Sequence, residues 1–423
     1  MGLSLNFLTR LQGAFFFSFT QDVAPGFLVS ARWAGKLKKM KKKCSNTRVQ
    51  VSDLNLLFMS PHGISYAIKK KILLAFLVTV FSITAVADTN YSFSEPASSD
   101  PFYIKGEKHL RNIKMLTHGG ENAEAYLSFN EQKLIYQSTT GRLKCDQIFT
   151  MNFNGSGKKM ISTGKGKTTC AYFLPGDTKI LYASTHLADI NCPPPPDRSK
   201  GYVWKLYDSF DIFLANVDGS NLKRLTYTPG YDAEATVSPT GDKIVFTSMR
   251  DNDPEIYTMN LDGSNQTRLT FLKGYDGGAF FSFDGSKIVF RSSRPKTEKE
   301  LKDYGDLVKN SLFRPTVLEI YLMDADGKNI KQVTDFGRAS FAPFFHPDGK
   351  RIIFSSNVKS KKGRNFDLYI VNVDGTGLEQ ITFNETFDGF PMFTRDGRHL
   401  IFASNRFNKK KRETNIFVAE WVE

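Results

Sequence analysis

From residue 113 to the end of the chain, one arrangement of apolar and polar positions returns six times. Each unit has an apolar lead strand, a Gly turn, an Ile/Val/Phe strand ending in Ser, another apolar strand, an Asn/Asp-Gly turn and a Leu-Thr. The lead segments Glu121 to Lys133, Lys167 to Lys179, Tyr231 to Lys243, Tyr275 to Lys287, Ala339 to Arg351 and Phe387 to His399 precede the second strands. With Ser128, Leu174, Ser238, Ser282, His346 and Thr394 as equivalent markers, the intervals are 46, 64, 44, 64 and 48 residues. The base unit matches the roughly 40–45 residues of a four-stranded propeller blade. A blade cannot bury its own faces, so the units must stack in a ring. The pattern therefore predicts an all-β fold, a six-bladed β-propeller of four-stranded antiparallel blades.

Ala125, Ala171, Ala235, Ala279, Pro343 and Pro391 are small, as expected where innermost strands converge near an axis. Two residues on, Leu127, Phe173, Val237, Phe281, Phe345 and Phe393 share that face by the two-residue strand period and read as core. Asn154-Gly155, Asp218-Gly219, Asp262-Gly263, Asp326-Gly327 and Asp374-Gly375 mark tight hairpins whose central positions need φ > 0. The last unit ends at Asn415 to Val422 without an outer strand, whereas Ile113 to Thr117 is an outer strand without a unit. Pairing them completes the sixth blade and removes the exposed edges of an open array.

Composition first suggests a nucleic-acid binder, with a formal charge of +14. Residues 1–87, however, hold 12 Lys/Arg against only Asp22 and Asp53, leaving 45 basic and 41 acidic residues elsewhere. That balance is too even for a phosphate-tracking surface, so nucleic acid is excluded as a partner. The basic excess belongs to a leader. Lys69-Lys70-Lys71, the apolar run Ile72 to Thr84 and Ala85-Val86-Ala87 predict a signal peptide over residues 59–87, cleaved between Ala87 and Asp88. The apolar stretch is shorter than the ~18–20 residues that span hydrocarbon, so the mature chain is expected to carry no membrane span and to be periplasmic or secreted. The upstream stretch 1–58 does not fit a signal peptide, which points to initiation at Met59; an amphipathic organelle presequence is the alternative. Residues 88–112 read as a linker and 113–423 as the propeller. In an oxidising compartment one disulfide is expected among Cys145, Cys170 and Cys192, and Cys170 with Cys192 is the preferred pair.

The run Tyr231-Asp232-Ala233-Glu234-Ala235-Thr236-Val237-Ser238-Pro239, then Lys243 to Arg250, Glu255 to Ser264 and Arg268-Leu269-Thr270, resembles the WD40-like repeat of TolB-type propellers. The resemblance covers residues 113–420. It implies a periplasmic interaction platform whose propeller meets a peptidoglycan-associated lipoprotein. In that family a separate α/β domain precedes the propeller, and residues 88–112 are too few for it.

Ser138, Ser184, Ser248, Ser292, Ser356 and Ser404 recur in every unit and read as structural. Arg250, Arg294 and Arg406 follow that Ser by two residues, near Asp232, Asp276 and Asp388, and inter-blade ion pairs are expected. A ligand site should instead break the sixfold pattern. Two insertions do so, both between second and third strands. Leu187 to Ser209 carries Pro193 to Pro196, Tyr202, Trp204 and Tyr207. Pro295 to Thr316 reads as a helix with a Thr297/Glu300 capping box, an apolar side of Leu301, Tyr304, Leu307, Val308 and Leu312, and Pro315 as its stop. The expected binding site is a recess over blade three, walled by these insertions and their Tyr202, Trp204 and Tyr304. Its floor is Tyr231, Asp232, Glu234 and Arg250, with Tyr275, Asp276 and Arg294 beside it. The competing expectation is that both insertions cap apolar loop surface.

No G-x-S-x-G elbow, H-E-x-x-H helix or P-loop occurs, and the six His are dispersed. Asp324-Ala325-Asp326-Gly327 lacks an acidic residue at the required first calcium position, where Leu322 stands. No catalytic residue, metal or cofactor is expected. Function is read as a noncatalytic exported platform, a monomer that binds an envelope protein, a lipoprotein or a glycan. The alternative is a carbohydrate-active propeller using Asp232, Glu234 and Arg250 with aromatic stacking.

Overall fold

The computed structural model describes residues 100–423, together with two short strands, Leu5–Phe7 and Phe17–Phe19, that pair antiparallel with each other. The chain divides into Met1–Tyr91 and a compact unit Ser92–Glu423. The expected signal peptide, its Ala87/Asp88 cleavage site and the upstream stretch lie outside the described residues.

Six four-stranded antiparallel sheets make up the compact unit. In blade three Asp232–Val237 is innermost, followed by Lys243–Ser248, Glu255–Asn260 and the short outer strand Thr267–Arg268. Blade six is composite, with Leu110–Met115 pairing antiparallel with Asn415–Trp421, Phe417 opposite Met115. That strand begins three residues earlier than the pattern predicted. The segment read as a linker also belongs to the propeller from residue 100 onward: Asp100 accepts the Ile113 amide at 2.9 Å, and Glu107 pairs with Arg406 at 2.8 Å.

The recurring Leu-Thr has a hydrogen-bonding cause. Thr117, Ser162, Thr226, Thr270, Thr334 and Thr382 each accept the backbone N–H of a third-strand residue, Ile416, Ile148, Ile212, Ile256, Ile320 and Leu368, at 2.9–3.0 Å. One hydroxyl thus fastens each short outer strand to its sheet. The Asp-Gly hairpins differ from expectation, because only their Gly takes a positive φ, for example 90° at Gly219. A Cβ on Gly219 would lie 2.2 Å from the Ile161 carbonyl oxygen, and one on Gly263 2.8 Å from that of Leu225. These glycines are where each blade abuts the outer strand of the one before it, a close approach that a side chain would obstruct.

The core is aliphatic and aromatic, with Phe173, Phe246, Phe290, Phe345, Phe354, Phe393 and Phe402 among its fully buried side chains. Arg250–Asp232, Arg294–Asp276 and Arg406–Asp388 do form ion pairs, at 3.1, 2.8 and 2.9 Å. Each lies within one blade and not between blades, because the Arg after the second strand folds back over its own innermost strand. Arg406 additionally holds Glu107, and both are fully buried. The recurring Ser belongs to this scaffold: Ser248 accepts from Arg250 Nε at 2.7 Å and Ser404 from Arg406 Nε at 3.0 Å.

Candidate functional site

All the long excursions and the starts of the innermost strands lie at one end of the ring, the insertion face; the Gly hairpins lie at the other. The two insertions do not stand apart as walls. Trp204–Lys205 pairs antiparallel with Leu312–Phe313, joining them in a two-stranded sheet. The helix Glu298–Val308 has the predicted Thr297/Glu300 capping box but stops at Val308, and Leu312 belongs to the strand. Its Tyr304 hydroxyl donates to Asp253 of blade three. Underneath, Leu206, Phe210, Val308 and Phe313 pack on Tyr231 and Tyr275, with the Phe313 and Tyr275 rings stacked 4.3 Å apart. Burial of each such side chain favours the closed arrangement by about 1.5–3 kcal/mol.

The recess expected over blade three is therefore filled. Tyr231, Tyr275 and Tyr304 are buried, Asp232 is committed to Arg250 and Asp276 to Arg294, and Trp204 is half-buried against Phe313. Tyr202 alone of the expected aromatic contacts is exposed, at 69%. The physical reason is composition: the insertions carry enough apolar surface, at Val203, Leu206, Leu307, Leu312 and Phe313, to bury one another. Sugar stacking on Tyr231 or Tyr304 is blocked by the same packing.

The cysteines also pair differently. Cys145 and Cys192 form the disulfide, with Cα atoms 5.9 Å apart, joining the loops between second and third strands of blades one and two. Cys170 is free, because it sits on the innermost strand of blade two at the propeller axis and not in a surface loop. Burial pushes its thiol well above the usual range.

An open space remains at the axis itself. Every innermost strand carries a bulge, and the bulged residue has a left-handed backbone: Glu124, Cys170, Glu234, Gly278, Ala342 and Phe390, with φ between 49° and 60°. Such backbone is unfavourable for residues other than Gly and persists where the surroundings impose it. These six residues, with Tyr126, Ala235, Thr236, Phe280 and Arg291, line a small cavity of about 30 Å³. Below it the axis is closed, since Tyr126 of blade one meets Phe280 of blade four with ring centroids 5.3 Å apart, and Phe280 meets Phe344 at 5.5 Å. A separate space of about 50 Å³ opens toward the hairpin face, lined by Phe129, Pro239, Phe283 and Arg395 among others.

Charge in the upper cavity is unevenly satisfied. Glu234 receives Arg291 Nη2, the Gly278 amide at 2.8 Å and the Thr247 and Tyr275 hydroxyls at 2.8 and 3.0 Å. Trp204 of the joined insertions covers Arg291, whose guanidinium carbon is 5.3 Å from the ring centroid. Glu124 has no ion pair among the described residues; the Cys170 thiol lies beside its carboxyl, and its Oε2 is buried without a hydrogen-bond partner. Burial pushes its carboxyl up to about 7, with the Glu234 charge adding to the effect. Sequence reasoning selected Glu234 but missed Glu124 and Arg291. One signal was available: Arg291 interrupts the strand Lys-Ile-Val-Phe-Arg-Ser at a place held by Gln137, Ala183, Thr247, Ser355 and Ala403 elsewhere.

Among the described residues no cluster of His, Cys, Asp and Glu is arranged to hold a metal ion, and no helix is long and apolar enough to cross a membrane. The TolB beta propeller domain family matches residues 196–306 and 305–411, together half of the chain. Solved structures similar to this chain include a putative TolB from Agrobacterium tumefaciens, 17% identical over 72% of this chain and 91% of that one, TM-score 0.49. TolB from Acinetobacter baumannii is 18% identical over 72% and 64%, TM-score 0.46. An oligogalacturonate lyase from Vibrio parahaemolyticus is 13% identical over 73% and 93%, TM-score 0.44. The Tol-Pal system protein TolB of Bordetella pertussis is 49% identical over 39 residues, a stretch that spans 9% of this chain and 9% of that relative. With its sixfold repeat and the match to half of its length, the chain belongs to the TolB beta propeller domain family.

Proposed function

We propose that this chain is an exported, noncatalytic propeller that serves as an interaction platform for a protein or lipoprotein of the cell envelope, met through the insertion face. The observation that carries this reading is where apolar side chains are exposed. Of the twelve large apolar residues exposed among the described ones, ten lie in insertion-face loops, Leu187, Ile190, Tyr202, Tyr227, Phe271 and Leu272 prominent among them. Only Met160 and Leu378 lie toward the hairpin side. Scattered surface apolars need no explanation, but their segregation to one side of a ring does. The zipped insertions give that side a rigid frame, which lowers the ordering cost of association.

Family membership supports an envelope setting, since relatives of this fold include Tol-Pal system proteins. The Cys145–Cys192 disulfide fits an oxidising compartment such as the periplasm, and the leader over residues 59–87 supplies the route. The mature chain would begin at Asp88 and act as a monomer.

The test is capture from envelope extract by immobilised protein. A Tyr202→Ser/Phe271→Ser/Leu272→Ser variant is compared with a Met160→Ser/Leu378→Ser control. Loss of the captured protein in the first variant alone is expected. Equal capture by both would overturn the reading.

A further inference from the structure

We propose that the cavity at the head of the propeller axis binds a small organic cation, an ammonium of a few carbons, with Glu124 as counter-ion and Tyr126, Phe280 and Phe390 as aromatic wall. This is independent of the envelope-partner reading, which concerns the outer loops.

The first argument is charge. Arg291 is committed to Glu234 and Tyr275, so Glu124 is left as a carboxylate of the cavity without an ion-pair partner among the described residues: the weakly donating Cys170 thiol lies beside it, and its Oε2 has no hydrogen-bond partner. A buried polar atom without a partner in a folded protein asks for an explanation. Structural need does not supply one. Gly278 and Ala342 hold the same left-handed backbone in blades four and five with no polar side chain at all, so the bulge does not require an acid. Glu124 is half-buried, with its Oε2 buried, and its side chain borders the space of the cavity.

The second argument is the wall. Tyr126, Phe280 and Phe390 border the same space, and aromatic faces attract an alkylammonium where a hydrated metal ion would find no oxygen ligands. One free carboxylate is too few for a divalent cation. An anion would meet two carboxylates against a single, already paired guanidinium. The cavity is small, about 30 Å³, which limits the guest to a few heavy atoms.

Calorimetric titration tests this with tetramethylammonium and ethylammonium as cations and tert-butanol as the neutral control, on the full chain, Glu124→Gln and Ala342→Phe. Phe is compatible with the Ala342 backbone because Phe390 occupies the equivalent position at φ 54°, and Ala342 lines the cavity, whose space the larger side chain takes up without removing a charged residue. Saturable one-to-one binding of at least one cation is expected, with none for tert-butanol, weakening by about tenfold or more in E124Q and vanishing in A342F. Thermal unfolding confirms that each variant is folded, and if E124Q does not fold, A342F decides alone. No saturable heat from either cation at about 10 mM, or unchanged affinity in a folded variant, would overturn the proposal.

Discussion

Thr117 and Ile416 are 299 positions apart in the chain, and the hydroxyl of one accepts the amide proton of the other at 2.9 Å. Five other blades make the same bond between strands close in sequence, so the ring is closed by the interaction that fastens each of its ordinary outer strands. A buried N–H that loses its acceptor costs about 1–3 kcal/mol. Thr117→Val should therefore destabilise the propeller by that amount, comparably to Thr334→Val within blade four. Urea unfolding measures both. A silent T117V beside a costly T334V would mean that the terminal strand lies outside the cooperative unit.

The disulfide leads to a second expectation. Cys145 and Cys192 are 47 residues apart, and a bridge closing a loop of that size contributes about 2–4 kcal/mol, chiefly by restricting the unfolded chain. Cys192→Ser should lower stability by about that amount, whereas Cys170→Ser should change it by less than ~1 kcal/mol. Peptide mapping without reduction checks the pairing directly. A fragment linking Cys170 to Cys192 would contradict the structure, and Cys170 should be alkylated only after denaturation.

Glu124 makes stability depend on pH. Its carboxyl sits at about 7 in the folded protein against an ordinary 4.5, so the folded state holds the proton more tightly than the unfolded chain. The stabilisation from that proton is complete below pH 4.5 and is lost as pH rises through about 7. Glu234, Arg291 and Asp146 are the charged groups that face it, and all remain in Glu124→Gln. The stability of the unsubstituted protein minus that of E124Q should fall by up to ~3 kcal/mol between pH 4.5 and about 8. A difference that is flat with pH would show that Glu124 stays ionised.

The repeat could be read from residues because its parts use recurring chemistry. Thr or Ser must fasten each outer strand, Gly must pass under the neighbouring blade, and Ser248 and Ser404 meet the Arg two residues on. The axial cavity could not be read in the same way. Glu124, Cys170, Glu234, Gly278, Ala342 and Phe390 have nothing in common as side chains; what they share is a left-handed backbone, which leaves no sequence mark when the bulge imposes it. The insertions misled for a different reason. Tyr202, Trp204 and Tyr304 look like a binding surface, but Leu206, Leu312 and Phe313 in the same segments satisfy that apolar surface internally. Arg250 stood out because it recurs with Arg294 and Arg406, yet recurrence marked scaffold, and the solitary Arg291 marked the cavity.

In-cell photocrosslinking most directly tests the claim that the insertion face meets an envelope partner. Photoreactive residues replace Tyr202 or Phe271 on that face and Met160 or Leu378 toward the other. The account predicts a discrete adduct with one envelope protein from positions 202 and 271 and none from 160 and 378. Adducts arising from 160 and 378, with 202 and 271 unreactive, would contradict it.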